Sequence, residues 1–193
     1  MLVLSPPDAF GTVEEGIYRS SDAITSDHYP FLRNLRLCHI VFLSTEVPSR
    51  AIQKFAAEEK INLIHLGLKA WQANLGWKPV SEELVKEGLE LILNRNNIPV
   101  LLMCTTGLHE TGAFVGCLRK LQHWNYNSII FEYRSFAGKR SRYYIEQFIE
   151  LFDTDLITIP SEVPPFFTTQ QVMWEAEDIQ FLQQKWGSQF IKP

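Results

Sequence analysis

The chain of 193 residues has only three cysteines, Cys38, Cys104 and Cys117, and no two of them stand at metal-ligand spacing. So sparse a set excludes a disulfide framework and a cysteine-held zinc site, and it predicts a reduced, cytoplasmic setting. Positive charge is also scarce. Eighteen Lys and Arg face 22 Asp and Glu, giving a net charge of −4, whereas a nucleic-acid surface needs massed cations. No apolar run approaches the ~20 residues that cross a bilayer. The opening MLVLSPPDAFG lacks the basic start and long apolar centre of a secretory signal. Repeats and low-complexity tracts are missing. His28, His39, His65 and His123 have no metal spacing and read as ordinary surface or core residues, so no metal or cofactor is expected. What is present is globular: 46% hydrophobic and 21% charged, with length for one domain and a full core but not for two.

Short apolar runs, LCHIVFL (37–43), INLIHL (61–66) and IPVLLM (98–103), are bounded by polar residues or Pro and read as buried, mostly parallel strands. GIYRS (16–20) adds a short edge strand. Ile52, Phe55 and Ala56 mark one helix. SEELVKEGLELILN (81–94) marks the next, with a Ser cap, acids in its first turn, and Val85, Leu89 and Ile92 buried. Further on, Phe114, Cys117, Leu118 and Leu121 share a helical face, 128–136 reads as another helix, and Tyr144, Phe148 and Leu151 line a third. Cys38 and Cys117, set in apolar patterns, read as small core residues. This order predicts an α/β domain over residues 1–155, a small, mostly parallel sheet with helices on both sides.

Residues 156–193 differ in character. ITIPSEVPPFF is punctuated by proline. Val172, Ala176, Ile179, Leu182 and Trp186 then space an amphipathic helix whose other side is acidic. That helix is predicted to pack back on the domain. The competing reading is a partner-binding arm rich in aromatics, among them Trp174, Phe181, Trp186 and Phe190.

The strand at 98–103 breaks into Cys104-Thr105-Thr106-Gly107-Leu108-His109-Glu110-Thr111-Gly112, and helical spacing resumes behind it. A strand that ends in such a loop and feeds a helix points backbone N–H groups at one spot, where the helix dipole adds positive potential. A thiol placed there is favoured as thiolate. The same amides suit an oxyanion such as phosphate. Gly107 permits the backbone angles of a tight loop, and Thr111, beside Gly112, can offer its hydroxyl to the thiolate or to a leaving phosphate.

This stretch resembles the Cys-x5-Arg-[Ser/Thr]-Gly signature of cysteine-dependent phosphatases. EEGIYRS, NIPVLLMC, GLHETG, GCLRKLQHWN and IIFEYRSFAGKR, in that order, resemble the plant-and-fungal atypical dual-specificity phosphatases, and among them the fungal oxidant-induced cell-cycle-arrest (Oca) proteins. The likeness spans roughly residues 6–155 and is most specific from Cys104 to Arg140. It implies the protein-tyrosine-phosphatase fold and, for active members, metal-free hydrolysis of phosphotyrosine-type esters or inositol pyrophosphates. Active members read approximately His-Cys-x-x-Gly-Lys-His-Arg-Thr-Gly. Carried across, Cys104 takes the nucleophile's place, Gly107 the loop glycine's, His109 the signature histidine's and Thr111 that of the hydroxyl beside the leaving group. Three positions depart. Met103 replaces the histidine before the cysteine, Leu108 the lysine and Glu110 the arginine. The resemblance also makes Lys139, Arg140 and Arg142 candidate polyanion contacts, against the plainer reading of a solvated helix start. It places Arg19 and Arg134 where a buried guanidinium ties loops to backbone carbonyls.

Glu110 governs the functional expectation. The family's arginine holds two phosphate oxygens in a planar fork and offsets transition-state charge. Losing one preorganised donor can cost ~3–4 kcal/mol. A like-charge contact at ~4 Å adds ~4 kcal/mol at an effective dielectric near 20. Turned inward, the carboxylate would raise the Cys104 pKa; turned outward, it would leave the amides free to bind an anion weakly. The segment GLKAWQANLGWKPV (67–80) offers no Asp or Glu as a general acid. The expectation is a pseudophosphatase in which Cys104 is vestigial. The resemblance implies that it would act as a binding or regulatory subunit beside related phosphatase-like proteins, with phosphate or an inositol polyphosphate as the ligand its loop would take. The alternative is a slow cysteine-dependent phosphatase acting on inositol pyrophosphates or phosphoproteins, with Lys139 or Arg140 standing in for the arginine. A redox role for Cys104 lacks a supporting cation.

Overall fold

The run IPVLLM becomes the middle of the sheet in a computed structural model that describes residues 4–70 and 78–186. Strand β5 (Val100–Cys104) is flanked by β2 (Ile17–Ser21) and β3 (His39–Phe42), both parallel to it. Strand β4 (Asn62–His65) extends the parallel set beyond β3, and β1 (Gly11–Glu14) pairs antiparallel with β2, giving the order β1-β2-β5-β3-β4. In register, Ser21 lies beside Cys104 and Phe42 beside Met103, so the parallel strands end together where Cys104 enters its loop. Every residue of β5 is buried, which is why the run shows no polar alternation.

Helices cover both faces, as expected. On one face α1 (Tyr29–Asn34) and α2 (Arg50–Glu59) pack Leu32, Ile52 and Phe55 onto Ile40, Phe42 and Met103. On the other lie α4 (Glu82–Ile92), α5 (His109–Leu121), α6 (Tyr126–Ala137) and α7 (Tyr143–Leu151), over Ile17, Val41, Val100 and Leu102. The cap read at Ser81 is present: its hydroxyl accepts the Leu84 N–H at 3.0 Å, a contact worth ~1 kcal/mol.

Several expectations are corrected. GIYRS is the second strand of the sheet and not its edge; the edge is GTVE of β1, too short and polar to show a strand pattern. On α7 the buried stripe is Ile145, Phe148 and Ile149, while Leu151 is exposed, because that face meets α5. Cys38 is exposed at the entry to β3. After a single turn, α3 (Gly67–Ala70), the part of the acid-free segment at 71–77 lies outside the described residues. The C-terminal helix α8 (Pro165–Trp186) docks through a face other than the one expected. Phe167 is buried, and Trp174 lies on His123 with ring centroids 4.3 Å apart. Val172, Ala176 and Ile179 are exposed. The side chains of Leu182 and Trp186, and all of Phe190, lie outside the described residues. No helix among the described residues is long and apolar enough to cross a membrane.

Gly67 allows β4 to end against β3. A Cβ there would lie 1.9 Å from the Ser44 carbonyl oxygen and 2.2 Å from its carbon, both backbone atoms. Gly67→Ala is therefore expected to cost about 3 kcal/mol or more, at the upper end for overpacking. A chemical-denaturation midpoint within error of wild type would refute this close approach.

Candidate functional site

Cys104 is the last residue of β5 and α5 opens at His109, so the phosphatase-like motif forms a four-residue loop between strand and helix. The end of β2 holds that loop from beneath. Arg19 Nη2 donates to the Gly107 carbonyl at 2.9 Å, and the Asp22 N–H reaches the carbonyl of Cys104 at 3.1 Å. Gly107 has φ +71°, and a Cβ would meet Ser21 N at 2.6 Å and Ser20 C at 2.8 Å, so glycine is required there by conformation as well as by space. Arg19 ties a loop to a carbonyl, as expected. Its guanidinium is buried over the Phe136 ring, 3.8 Å from the centroid, and its Nε and Nη1 have no hydrogen-bond partner. Burial brings its pKa down to about 10, opposed by the charge that Cys104 and Glu132 can carry.

Much of the amide cradle is already engaged, within the loop or by Ser44. Thr105 N–H donates to Ser44 Oγ at 3.1 Å, Gly107 N–H to the Cys104 carbonyl at 3.1 Å and Leu108 N–H to Thr106 Oγ1 at 3.4 Å. Thr105 and Thr106 are exposed, and the Thr105 hydroxyl donates to Glu46. Leu108 is buried at the position that caps α5 and supplies no side-chain cap.

Glu110 points inward. Its Oε1 accepts the Ser44 hydroxyl at 3.3 Å, and its charge bears on the sulfur of Cys104. Neither Cys104 nor Thr111 has exposed surface. Burial, first, and then the negative charge of Glu110 push the thiol pKa up, while the hydroxyl and amide of Thr111 pull it down. Thr111 Oγ1 is itself buried and makes no hydrogen bond. A nucleophilic thiolate is thus disfavoured at neutral pH. Because the shift is upward, the reactive form gathers only above the ordinary thiol range. Alkylation by iodoacetamide at pH 8 is expected to modify exposed Cys38 well before Cys104, and Glu110→Gln to accelerate the Cys104 reaction severalfold. Equal rates for Cys104 in the two proteins, followed by mass spectrometry of the peptides, would refute the coupling.

His109 is buried at the start of α5. Its Nδ1 lies 3.2 Å from Tyr133 Oη, which itself accepts the Arg142 N–H at 3.0 Å. Tyr133 Oη has a lone pair left for an imidazole N–H as well as its own proton to give, so the direction of this bond follows the histidine tautomer. Burial lowers the histidine pKa, and Arg142 and Arg140 add to this. Both arginines are thus close enough to act on the loop; among the described residues no hydrogen bond or ion pair joins Lys139 to it. Arg134 departs from expectation: it is exposed and grips the Glu146 carboxylate with two hydrogen bonds of 2.7 Å.

Four participants carried no motif. Ser44 and Glu46 follow β3, and a site at the carboxyl ends of parallel strands could have pointed to them. Asp22 follows β2, but its carboxylate is engaged by Ser49, accepting the amide at 2.6 Å and the hydroxyl at 2.8 Å. Tyr133 reads in sequence as a core aromatic. Among the described residues no cluster of His, Cys, Asp and Glu suits a metal ion.

Residues 4–170 match the Tyrosine phosphatase family. DG1060 of Dictyostelium discoideum, provisionally named a tyrosine-protein phosphatase, is 49% identical over 153 residues, 79% of this chain and 90% of its own length. OCA1 of Mycosarcoma maydis, provisionally named likewise, is 42% identical over 156 residues, 80% of this chain and 97% of its own. The core catalytic domain of PP-IP phosphatase SIW14 from S. cerevisiae, solved with citrate, superposes with a TM-score of 0.70 at 30% identity, covering 91% of this chain and 96% of that one. The sheet order, the loop at the end of β5 and these likenesses agree on the protein-tyrosine-phosphatase fold. By sequence and by fold the chain belongs to the tyrosine phosphatase family, with the Oca proteins among its relatives.

Proposed function

We propose that the chain is a pseudophosphatase: it keeps the phosphatase fold and works by binding, as a regulatory subunit beside related phosphatase-like proteins. The observation that carries this reading is the inward carboxylate of Glu110. A phosphoryl group arriving at the loop brings negative charge to a place already holding one, with no guanidinium to receive it. Cys104 is unreachable by solvent and its thiol pKa is raised, so the attacking thiolate is scarce as well. Binding, orientation and nucleophile formation each lack a component they need.

A second reading has its own support. Arg140 and Arg142 act electrostatically on His109, and the similar SIW14 domain is named a PP-IP phosphatase. A slow cysteine-dependent hydrolysis of an inositol pyrophosphate or a phosphoprotein would use those cations at the rim. One assay separates the two. Purified wild type and Cys104→Ser are compared on p-nitrophenyl phosphate and on an inositol pyrophosphate. Equal, background release from both proteins is expected, and wild-type turnover that the serine variant lacks would overturn the binding-only reading. Tagged protein recovered from its own cells is expected to bring phosphatase-like chains with it; recovery without them would refute the partner assignment.

A further inference from the structure

Helix α8 has two apolar sides. Phe167 and Trp174 dock one of them on the domain. Val172 stands two residues from Trp174, about 200° around the helix, and with Ala176 and Ile179 it forms a stripe facing away. Val172 is 60% exposed and Ile179 45% exposed. This is the stripe the spacing marks for packing, and among the described residues nothing covers Val172, Ala176 or Ile179. On a helix of 22 residues such a seam suits another helix.

We infer that the stripe is a self-association surface on which a second copy of this chain packs, α8 against α8, antiparallel about a two-fold axis at Ile179. The spacing carries the choice of partner. In sequence the stripe continues to Leu182 and Trp186, so its steps are 4, 3, 3 and 4 and read the same in both directions from Ile179. An isologous two-fold contact needs a surface that is self-complementary in this way. Reversal also sets unlike sizes across the seam, position 172 against 186 and 176 against 182. Each small residue then meets a large one.

Charge selects the same direction. The acids of α8, Glu175, Glu177 and Asp178, precede Ile179, and its base, Lys185, follows. An antiparallel copy lays the acidic half of each helix along the half that carries the lysine. A parallel copy would lay acid on acid. One helix pair buries less than the ~800 Å² per partner of a standard interface, so dissociation constants of about 10–100 µM are expected. The inference does not depend on the chemistry of the Cys104 loop.

Sedimentation equilibrium of the full chain over that concentration range tests it. A monomer–dimer equilibrium is expected in wild type, and Ile179→Glu, which sets two carboxylates on the axis, is expected to leave monomer only. Circular dichroism checks that this exposed substitution keeps the fold. Direction is read by oxidation with copper–phenanthroline in a Cys38→Ser background. Ile179→Cys is expected to cross-link. Val172→Cys is not, since two copies of position 172 lie about 21 Å apart in the antiparallel pair. Wild type that stays monomeric throughout, a dimer indifferent to Ile179→Glu, or ready cross-linking through position 172 would each overturn the proposal.

Discussion

Glu110→Arg is expected to raise the affinity of the loop for orthovanadate by about thirtyfold or more, and Glu110→Gln to achieve part of that gain. Removing one like charge at ~4 Å is worth ~4 kcal/mol at an effective dielectric near 20. Even half of this, about 2 kcal/mol, corresponds to roughly thirtyfold. Arginine adds the planar fork that holds two oxygens at once. It also replaces the negative charge that, after burial, does most to raise the Cys104 pKa, so thiolate becomes available at lower pH. Leu108→Lys on the same background is expected to add a smaller gain, because Leu108 is buried and the new ammonium must be desolvated. Titration calorimetry with vanadate, with Cys104→Ser as a control for covalent capture, measures the effect. Affinities within threefold across wild type, Gln and Arg would mean that the loop does not present a phosphate-shaped cradle at all.

The largest stability effect is expected at Arg119, on the far side of α5. Its guanidinium is buried and satisfied on all sides. Nε and Nη2 hold the two Glu132 oxygens at 2.9 and 3.1 Å, Nη2 also reaches the Val13 carbonyl at 2.7 Å, and Nη1 binds Glu14 and, at 2.9 Å, Gln122. The Trp124 ring covers it at 4.2 Å. One side chain thus fastens β1 and α6 to α5. Arg119→Met keeps the bulk and leaves two carboxylates without their cation, and breaking a buried pair in this one-sided way costs about 3–5 kcal/mol. That is a large share of the ~5–15 kcal/mol by which domains are stable. Adding Glu14→Gln and Glu132→Gln is expected to recover at least half of the loss, because the penalty lies in unpaired charge and not in packing. A single-variant cost below about 1 kcal/mol by urea denaturation would place the network in the class of surface pairs.

The site was legible where its chemistry sits on contiguous residues. Cys104 to Gly112 read as a strand, a turn and a helix start because apolar pattern, Gly107 and the following 3.6-residue spacing are all local signals. Glu110 read as an obstacle to phosphoryl transfer because its charge is a property of the residue type. Ser44, Glu46 and Tyr133 were not legible. Each is an unremarked residue in sequence, and only the packing of β3 and α6 beside β5 brings them to the loop. Arg119 was hidden for the same reason: its partners at Glu14 and Glu132 lie 105 and 13 residues away.

By itself the sequence determined the burial of β5, the Ser81 cap, the turn at Gly107 and the sign of the charge at position 110. These depend on near neighbours and on side-chain chemistry that folding does not alter. Tertiary structure alone decided which way Glu110 turns, which arginines are buried, and which face of α8 meets the domain. Those outcomes rest on contacts between distant segments: a serine hydroxyl offered from the loop after β3, a carboxylate brought round from β1, an aromatic ring that won the docking face from a plainer aliphatic stripe. A helix with two apolar sides satisfies the periodicity rule twice, and only the shape of the surface beneath it can choose between them.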